Sequence, residues 1–503
     1  MRLKINNTFL QRENYPKYLG VTFDPRLTWC KHIQEAEKKG TKRVALLKKL
    51  AGTSWGADIS VLKKTYVGYV RPVIEYGMAS WGTAAKTNFQ KVERVQNQSL
   101  RILTGGIKST PINYMEAVAG LESLEDRRVK KTLTQYTKFR HLTSHPMHTM
   151  MTNKPRKRLK RQNFTTSAKS IHKDLDLPDL EPDAPIQTTR DCPPWNQHSH
   201  PEIIKDVEGI VSKGSISKSQ SHHLTQVMLR EKYPSEQWIR AFTDGSAMEA
   251  TRDGGGGIYI EWLDGTSSSI SIPTGKHSTN YKAEAEALQE AARVLGNSDA
   301  TRNAKVVLLT DAKSVLQSLE NSKSTELNAL TRATMTLNAV ANRVVLQWIP
   351  GHIDIFGNEC ADELAKKGGQ MEQIHPSPNY QEAKTLIKPA VHARWNEAHP
   401  QHKRKDAIHQ LPRTDQVTIF RLRTGHNRLK HHMFSRFKIG DGPNCPCGAS
   451  RQDAQHVLQD CPLLDETRRK FWPQPRDMHH KLNDSPLDLG ITAEYINTSA
   501  LTI

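Results

Sequence analysis

The chain has 503 residues, a formal net charge of +20 and a pI near 9.6; at roughly 100–200 residues per domain, that length implies about three domains. A balance this basic points to a polyanionic partner, nucleic acid before any other. Met1-Arg2-Leu3-Lys4-Ile5-Asn6 lacks the apolar core of a secretory signal, and no apolar run approaches the roughly 18 residues of a membrane helix. The chain therefore reads as soluble and intracellular, nuclear or cytoplasmic, with no membrane partner.

The charge is unevenly spread. Residues 1–150 hold 26 Lys/Arg against 11 Asp/Glu, whereas residues 236–370 hold 13 against 17. One central segment gathers carboxylates, and basic flanks are suited to holding a phosphate backbone or other nucleic acid beside it. Of six cysteines, Cys30, Cys192 and Cys360 are isolated, while Cys445, Cys447 and Cys461 cluster around His456. That pattern suits a reducing compartment and one metal site better than a disulfide framework.

In chain order, residues 1–145 read as a mainly helical basic region. Leu19–Phe23 is a short strand candidate. Apolar spacing predicts a helix from about Trp29 to Leu50, and a second through Phe89, Val92, Val95 and Leu103 that ends at Gly105-Gly106. Residues 146–235 read as a basic and proline-rich linker. It carries the basic run 154–161, a candidate nuclear-localisation signal or equally a solvated linker run that holds nucleic acid, and then Leu177-Pro178, Glu181-Pro182, Ala184-Pro185 and Pro193-Pro194.

Residues 236–371 alternate. Strands are predicted at Ile239–Asp244, Gly254–Trp262, Ser267–Pro273, Lys305–Thr310 and Val344–Ile349; helices at Thr279–Leu295, 312–320, 325–341 and Asn358–Lys367. Three strands followed by strand–helix alternation give an α/β domain with a mixed five-stranded sheet and flanking helices. Residues 372–503 form a basic carboxyl-terminal region, helical over Thr414–His432, before the cysteine cluster.

Four carboxylates stand at telling places. Asp244 ends the first strand in Phe242-Thr-Asp-Gly-Ser246. Glu284 closes Thr279-Asn-Tyr-Lys-Ala-Glu284 in the first helix. Asp311 ends the Leu308-Leu-Thr strand, and Asp362 opens the last helix. In open α/β sheets the functional crevice lies at the carboxyl ends of strands. Clustered carboxylates repel one another and call for cations; two Mg²⁺ about 4 Å apart would clamp both the attacking water and the leaving oxygen of a phosphodiester. His352, in the loop after the fifth strand, suits proton transfer near neutral pH. Glu286, two residues from Glu284 and so on another helix face, is expected on the solvated surface.

These motifs, with gaps of 40, 27 and 51 residues between successive acids, resemble type 1 ribonuclease H. The resemblance implies a ribonuclease H-like fold and hydrolysis of the RNA strand of RNA–DNA hybrids. By position it implies that Asp244, Glu284, Asp311 and Asp362 are the catalytic metal-binding acids, with Mn²⁺ able to replace Mg²⁺, that His352 is the loop histidine, and that Asn280 touches the hybrid. The basic extra helix that some members use for substrate grip is missing between Asp311 and Val344.

Upstream, Lys17-Tyr-Leu-Gly20, Pro72-Val-Ile-Glu-Tyr-Gly-Met-Ala-Ser-Trp81 and Gln98-Ser-Leu-Arg-Ile-Leu-Thr-Gly105 resemble the thumb-like segment after the palm of a non-LTR retrotransposon reverse transcriptase. The Asp-Asp pair of a polymerase palm is absent from the sequence. The expectation is the carboxyl-terminal part of an element protein, without polymerisation of its own but with a retroelement polymerase as partner.

Downstream, Cys445, Cys447, His456 and Cys461 offer three thiolates and an imidazole, a tetrahedral Zn²⁺ set; free thiols in a loop are the other reading. This cluster resembles the zinc-knuckle-like tail that follows ribonuclease H in some non-LTR elements. Two functions from different classes follow: a Mg²⁺-dependent nuclease, or a catalytically silent retroelement remnant that only binds nucleic acid. A DDE-type transposase is disfavoured by the Thr279–Glu284 helix.

Overall fold

A computed structural model describes residues 4–5, 8–9, 13–142, 145–152, 163–178, 201–210, 216–249, 251–320, 327–373 and 380–503. The basic run 154–161, the proline pairs from Glu181 to Pro194, and Cys192 lie outside them. The chain divides into two units, one of residues 134–156 and 176–389, the other of residues 1–133, 157–175 and 390–503. No described helix is long and apolar enough to cross a membrane.

The acid-rich unit is built on a six-stranded sheet. Its strands are β1 (Glu202–Ile204), β2 (Trp238–Met248), β3 (Arg252–Glu261), β4 (Ser267–Gly275), β5 (Lys305–Thr310) and β6 (Arg343–Trp348). They lie in the order β1-β6-β5-β2-β3-β4. β2, β3 and β4 form an antiparallel meander, while β5 runs parallel to both β2 and β6. Val306, Val307, Leu308 and Leu309 are all fully buried, as an apolar run covered on both faces must be. The mixed sheet is the expected one with a strand added: Glu202–Ile204, inside the stretch read as linker, pairs in parallel with β6 at its edge. Three residues are too few to show a period, which is why the sequence reading passed over them.

Helices follow as α1 (Lys218–Lys232), α2 (Asn280–Gly296), α3 (Lys313–Glu320), α4 (Asn328–Val340) and α5 (Phe356–Gln370). Helix α1 also lies in the stretch read as linker. Its start is a capping box, with Ser217 and Gln220 satisfying each other's backbone N–H. Helix α2 starts on Thr279, whose hydroxyl accepts from Lys282 N at 3.2 Å, and it buries Ala283, Ala287, Leu288, Ala291 and Leu295.

Helix α5 owes its place to glycine. A Cβ on Gly257 would stand 1.9 Å from the Ala361 carbonyl, and one on Gly255 would stand 2.1 Å from that of Ala365. The run Gly254–Gly257 thus lets the helix backbone rest directly on β3, a use of glycine where two backbones approach closely.

The other unit joins the two ends of the chain. The sequence reading set residues 1–145 and 372–503 apart; here Ile33, Trp81 and Leu103 share a core with Phe420, Tyr495 and Ile496. The helix Lys86–Thr104 leaves carbonyls open at its end, and buried arginines of the tail fill them. Arg413 donates to Ile102 O at 2.6 Å and also to Leu103 O; Arg421 donates to Gly105 O at 2.8 Å.

Candidate active site and metal centres

Asp244 lies where β2 passes β3 opposite Gly257, Asp311 directly follows β5, and Glu284 stands in the second turn of α2. Each offers a carboxylate oxygen within 4.8 Å of the other two. Two glycines make this approach possible: a Cβ on Gly245 would meet Glu284 N at 2.1 Å, and one on Gly351 would meet Asp311 Oδ2 at 2.1 Å. Asp244 is only 7% exposed, and its Oδ1 accepts from Gly245 N at 2.7 Å. Burial, then the charge of Asp311, with smaller contributions from Asp362 and Glu284, push its carboxyl up to about 8. A carboxylate raised this far by burial and then by neighbouring carboxylates marks a buried cluster short of positive charge.

Asp362 sits in the second turn of α5, where Lys366 Nζ reaches its Oδ2 at 2.6 Å. It belongs to a second group, in which His352, Glu359 and Asp362 bring ligand atoms within 4.8 Å of one another. His352 is exposed and holds a left-handed backbone, φ 57°. The sequence reading did not single out Glu359; its i, i+3 spacing from Asp362 on one helix was the available signal. Asn280 opens α2 and is exposed.

Glu286 differs from expectation. Rather than sitting free in solvent, it lies 3.6 Å from Lys282 Nζ, which also pairs with the buried Glu382 at 2.8 Å. Partial burial raises its carboxyl to about 7 against the pull of Lys282. The helix-face argument separated Glu286 from Glu284 correctly. It had no means of foreseeing the helix Tyr380–Ala398 that supplies Glu382.

In the tail, Cys445, Cys447, His456 and Cys461 bring all four ligand atoms within 4.8 Å of one another. The Cys445 and Cys461 sulfurs are 3.8 Å apart, and Cys447 Sγ is 3.2 Å from His456 Nε2. Gly448, at φ 93°, turns the chain so that Cys445 N donates to Ala449 O at 2.9 Å. The single-residue gap between Cys445 and Cys447 is therefore wide enough for both thiols to face one point. Burial lifts the Cys445 thiol to about 11, while the Ala449 N–H holds that of Cys447 below its ordinary value.

Residues 236–370 match the RNase H family model. A probable RNA-directed DNA polymerase from transposon BS of Drosophila melanogaster is 25% identical over 162 residues, which are 32% of this chain and 18% of that protein. Ribonuclease H1 of Rattus norvegicus is 27% identical over 149 residues, 27% of this chain and 51% of the relative. The RNase H1 structure from Halobacterium salinarum covers 26% of this chain and 96% of its own, at 21% identity and a TM-score of 0.22. The chain thus matches less than a fifth of the transposon relative's length and about half of the rat enzyme's.

Proposed function

We propose that this chain, which carries an RNase H domain and is similar to non-LTR retrotransposon polymerases, hydrolyses the RNA strand of RNA–DNA hybrids, with two Mg²⁺ held by Asp244, Glu284, Asp311 and Asp362. The observation that carries the reading is the convergence of Asp244, Glu284 and Asp311 within 4.8 Å with Asp362 close enough to raise Asp244 further. The donors are all hard oxygens in mutual repulsion, the set that suits Mg²⁺ or Mn²⁺. When bound, such ions supply polarisation of the phosphodiester and a more acidic water.

The chain's own groups do the rest. Asp244, common to the repulsions, holds the centre of the cluster. Lys366 orients the Asp362 carboxylate through its 2.6 Å bond. The exposed His352 imidazole, beside Glu359 and Asp362, takes up and returns a proton at the open side of the site. Asn280 offers amide donors to the hybrid at the exposed start of α2. In the other unit, Cys445, Cys447, His456 and Cys461 hold one structural Zn²⁺, and basic side chains grip further nucleic acid. The setting is inside the cell, nuclear or cytoplasmic, alongside a retroelement polymerase, with no polymerisation by this chain.

The test is to incubate the full chain with Mg²⁺ and a hybrid labelled in each strand. Only the RNA strand is expected to be cut, leaving 3′-hydroxyl and 5′-phosphate ends. Asp311→Asn keeps the shape, removes a ligand and should abolish turnover; His352→Ala should slow it without abolishing it. Parent-like cleavage by Asp311→Asn refutes the site. Tight hybrid binding by the parent chain with no cleavage selects the silent, binding-only alternative.

A further inference from the structure

The unit that holds the acids begins before residue 236, where the family match starts. β1 pairs with β6, Ile203 opposite Leu346. Val207, Ile210, Met228, Leu229 and Tyr233 enter the same core as the sheet. Tyr233 donates its hydroxyl to Gln347 Oε1 at 2.9 Å, and Gln347 Nε2 donates to Asp206 O at 3.0 Å. Residues 201–210 and 216–233 are therefore a built-in extension, anchored on the strand that leads into the His352 loop.

That loop is conformationally costly. His352 and Asp354 both hold left-handed backbone, φ 57° and 62°, which residues with a Cβ avoid unless their surroundings impose it. Between them, Ile353 is buried, and its carbonyl accepts from His222 Nδ1 of α1 at 2.7 Å. Lys218, four residues earlier on α1, pairs with Asp354 Oδ1 at 2.8 Å. One helix face thus grips the main chain between the two left-handed residues and the side chain of the second.

We propose that α1 is a positioning element for the reaction, His222 and Lys218 holding the loop so that His352 stands beside Glu359 and Asp362. The inference rests on the reading of His352 as the proton carrier. It adds residues outside the family match to the machinery and assigns the extension a task other than linking. His222 and Lys218 are positioning residues, since they act through the loop.

A double-mutant cycle on the full chain tests this. His222→Ala should lower kcat by about fivefold, the population change commanded by one ordinary hydrogen bond, with KM for the hybrid unchanged. His222→Asn, which keeps an N–H donor near the Nδ1 position, should restore the rate. Added to His352→Ala, the His222→Ala change should cost nothing further, because the side chain being positioned is gone. Amide exchange at residues 351–356 of the metal-free chain should quicken in His222→Ala and not in His222→Asn. Lys218→Glu, at an exposed position that does not threaten folding, should slow turnover in the same direction. A slowed His352→Ala with His222→Ala at the parent rate overturns the inference alone, as do losses that multiply in the double variant. Unchanged turnover in His352→Ala overturns both the inference and the role given to His352.

Discussion

Asp244→Asn separates what the acid cluster does for chemistry from what it does to the fold. With its carboxyl raised from 3.8 to about 8, Asp244 binds a proton in the native state over a range where the unfolded chain has lost it. Native stability of the metal-free protein must therefore fall as pH rises from about 4 to about 8, and level off above. At roughly 1.4 kcal/mol per unit, the ceiling of this effect is on the order of 5 kcal/mol. The neighbouring carboxylates share the repulsion and reorient when one charge goes, so we expect the neutral amide to recover about 2 kcal/mol at pH 8. The assay is hydrogen exchange in EDTA on peptides from β2 and β5, corrected for the intrinsic rate at each pH. Protection in the parent should decline from pH 5 to pH 8, and the Asn variant should be flatter and better protected at the upper end. Mg²⁺ should restore the parent and do little for the variant, which should also have lost turnover. Protection that is independent of pH in the parent, or weaker in the variant at pH 8, refutes the reasoning.

Other outcomes follow from the same geometry. Gly257→Ala would place a Cβ 1.9 Å from the Ala361 carbonyl and should cost about 3 kcal/mol by overpacking. It should also push Asp362 out of register; a parent-like melting midpoint and rate would contradict this. Cys447→Ser should lose the one zinc expected per chain and loosen residues 440–465 while leaving hybrid cleavage intact, and elemental analysis finding no zinc in the reduced parent ends that assignment. The full chain should bind hybrid more tightly, with a steeper loss on adding salt, than residues 201–389, whose core segment 236–370 carries 13 basic against 17 acidic side chains. Equal affinities and slopes for the two would refute the role of the basic flanks.

The acids were legible because each is written into a local pattern. Asp311 directly follows an apolar strand and Glu284 follows a helix cap; Asp244 follows the apolar stretch that opens β2, although β2 runs on to Met248 rather than ending at Asp244 as the sequence suggests. The Lys282–Glu382 contact beside Glu286 was not legible, because it depends on a helix face meeting a partner distant in sequence. The glycines of β3 read as strand but gave no sign of the helix they admit. Helix α1 left a readable capping box at Ser217 and Gln220, masked by the polar and proline-rich sequence before it. Arg413 and Arg421 are buried at 6% and 4% exposure, which the sequence does not show, since nothing local announces open carbonyls three hundred residues upstream.

That shared core of the two chain ends sets an order of events during synthesis. Domains ordinarily fold as they emerge, the amino-terminal one first. Here Ile33, Trp81 and Leu103 must wait for Phe420, Tyr495 and Ile496, so the unit they share is completed only after the intervening acid-rich sheet has had time to form. The entropy of closing so long an interval grows only logarithmically with its length, which makes the delay kinetic rather than thermodynamic. Until Phe420, Tyr495 and Ile496 leave the ribosome, the apolar side chains of Ile33, Trp81 and Leu103 stay uncovered, and ribosome-bound chains stalled before Phe420 are where a chaperone should be found on them.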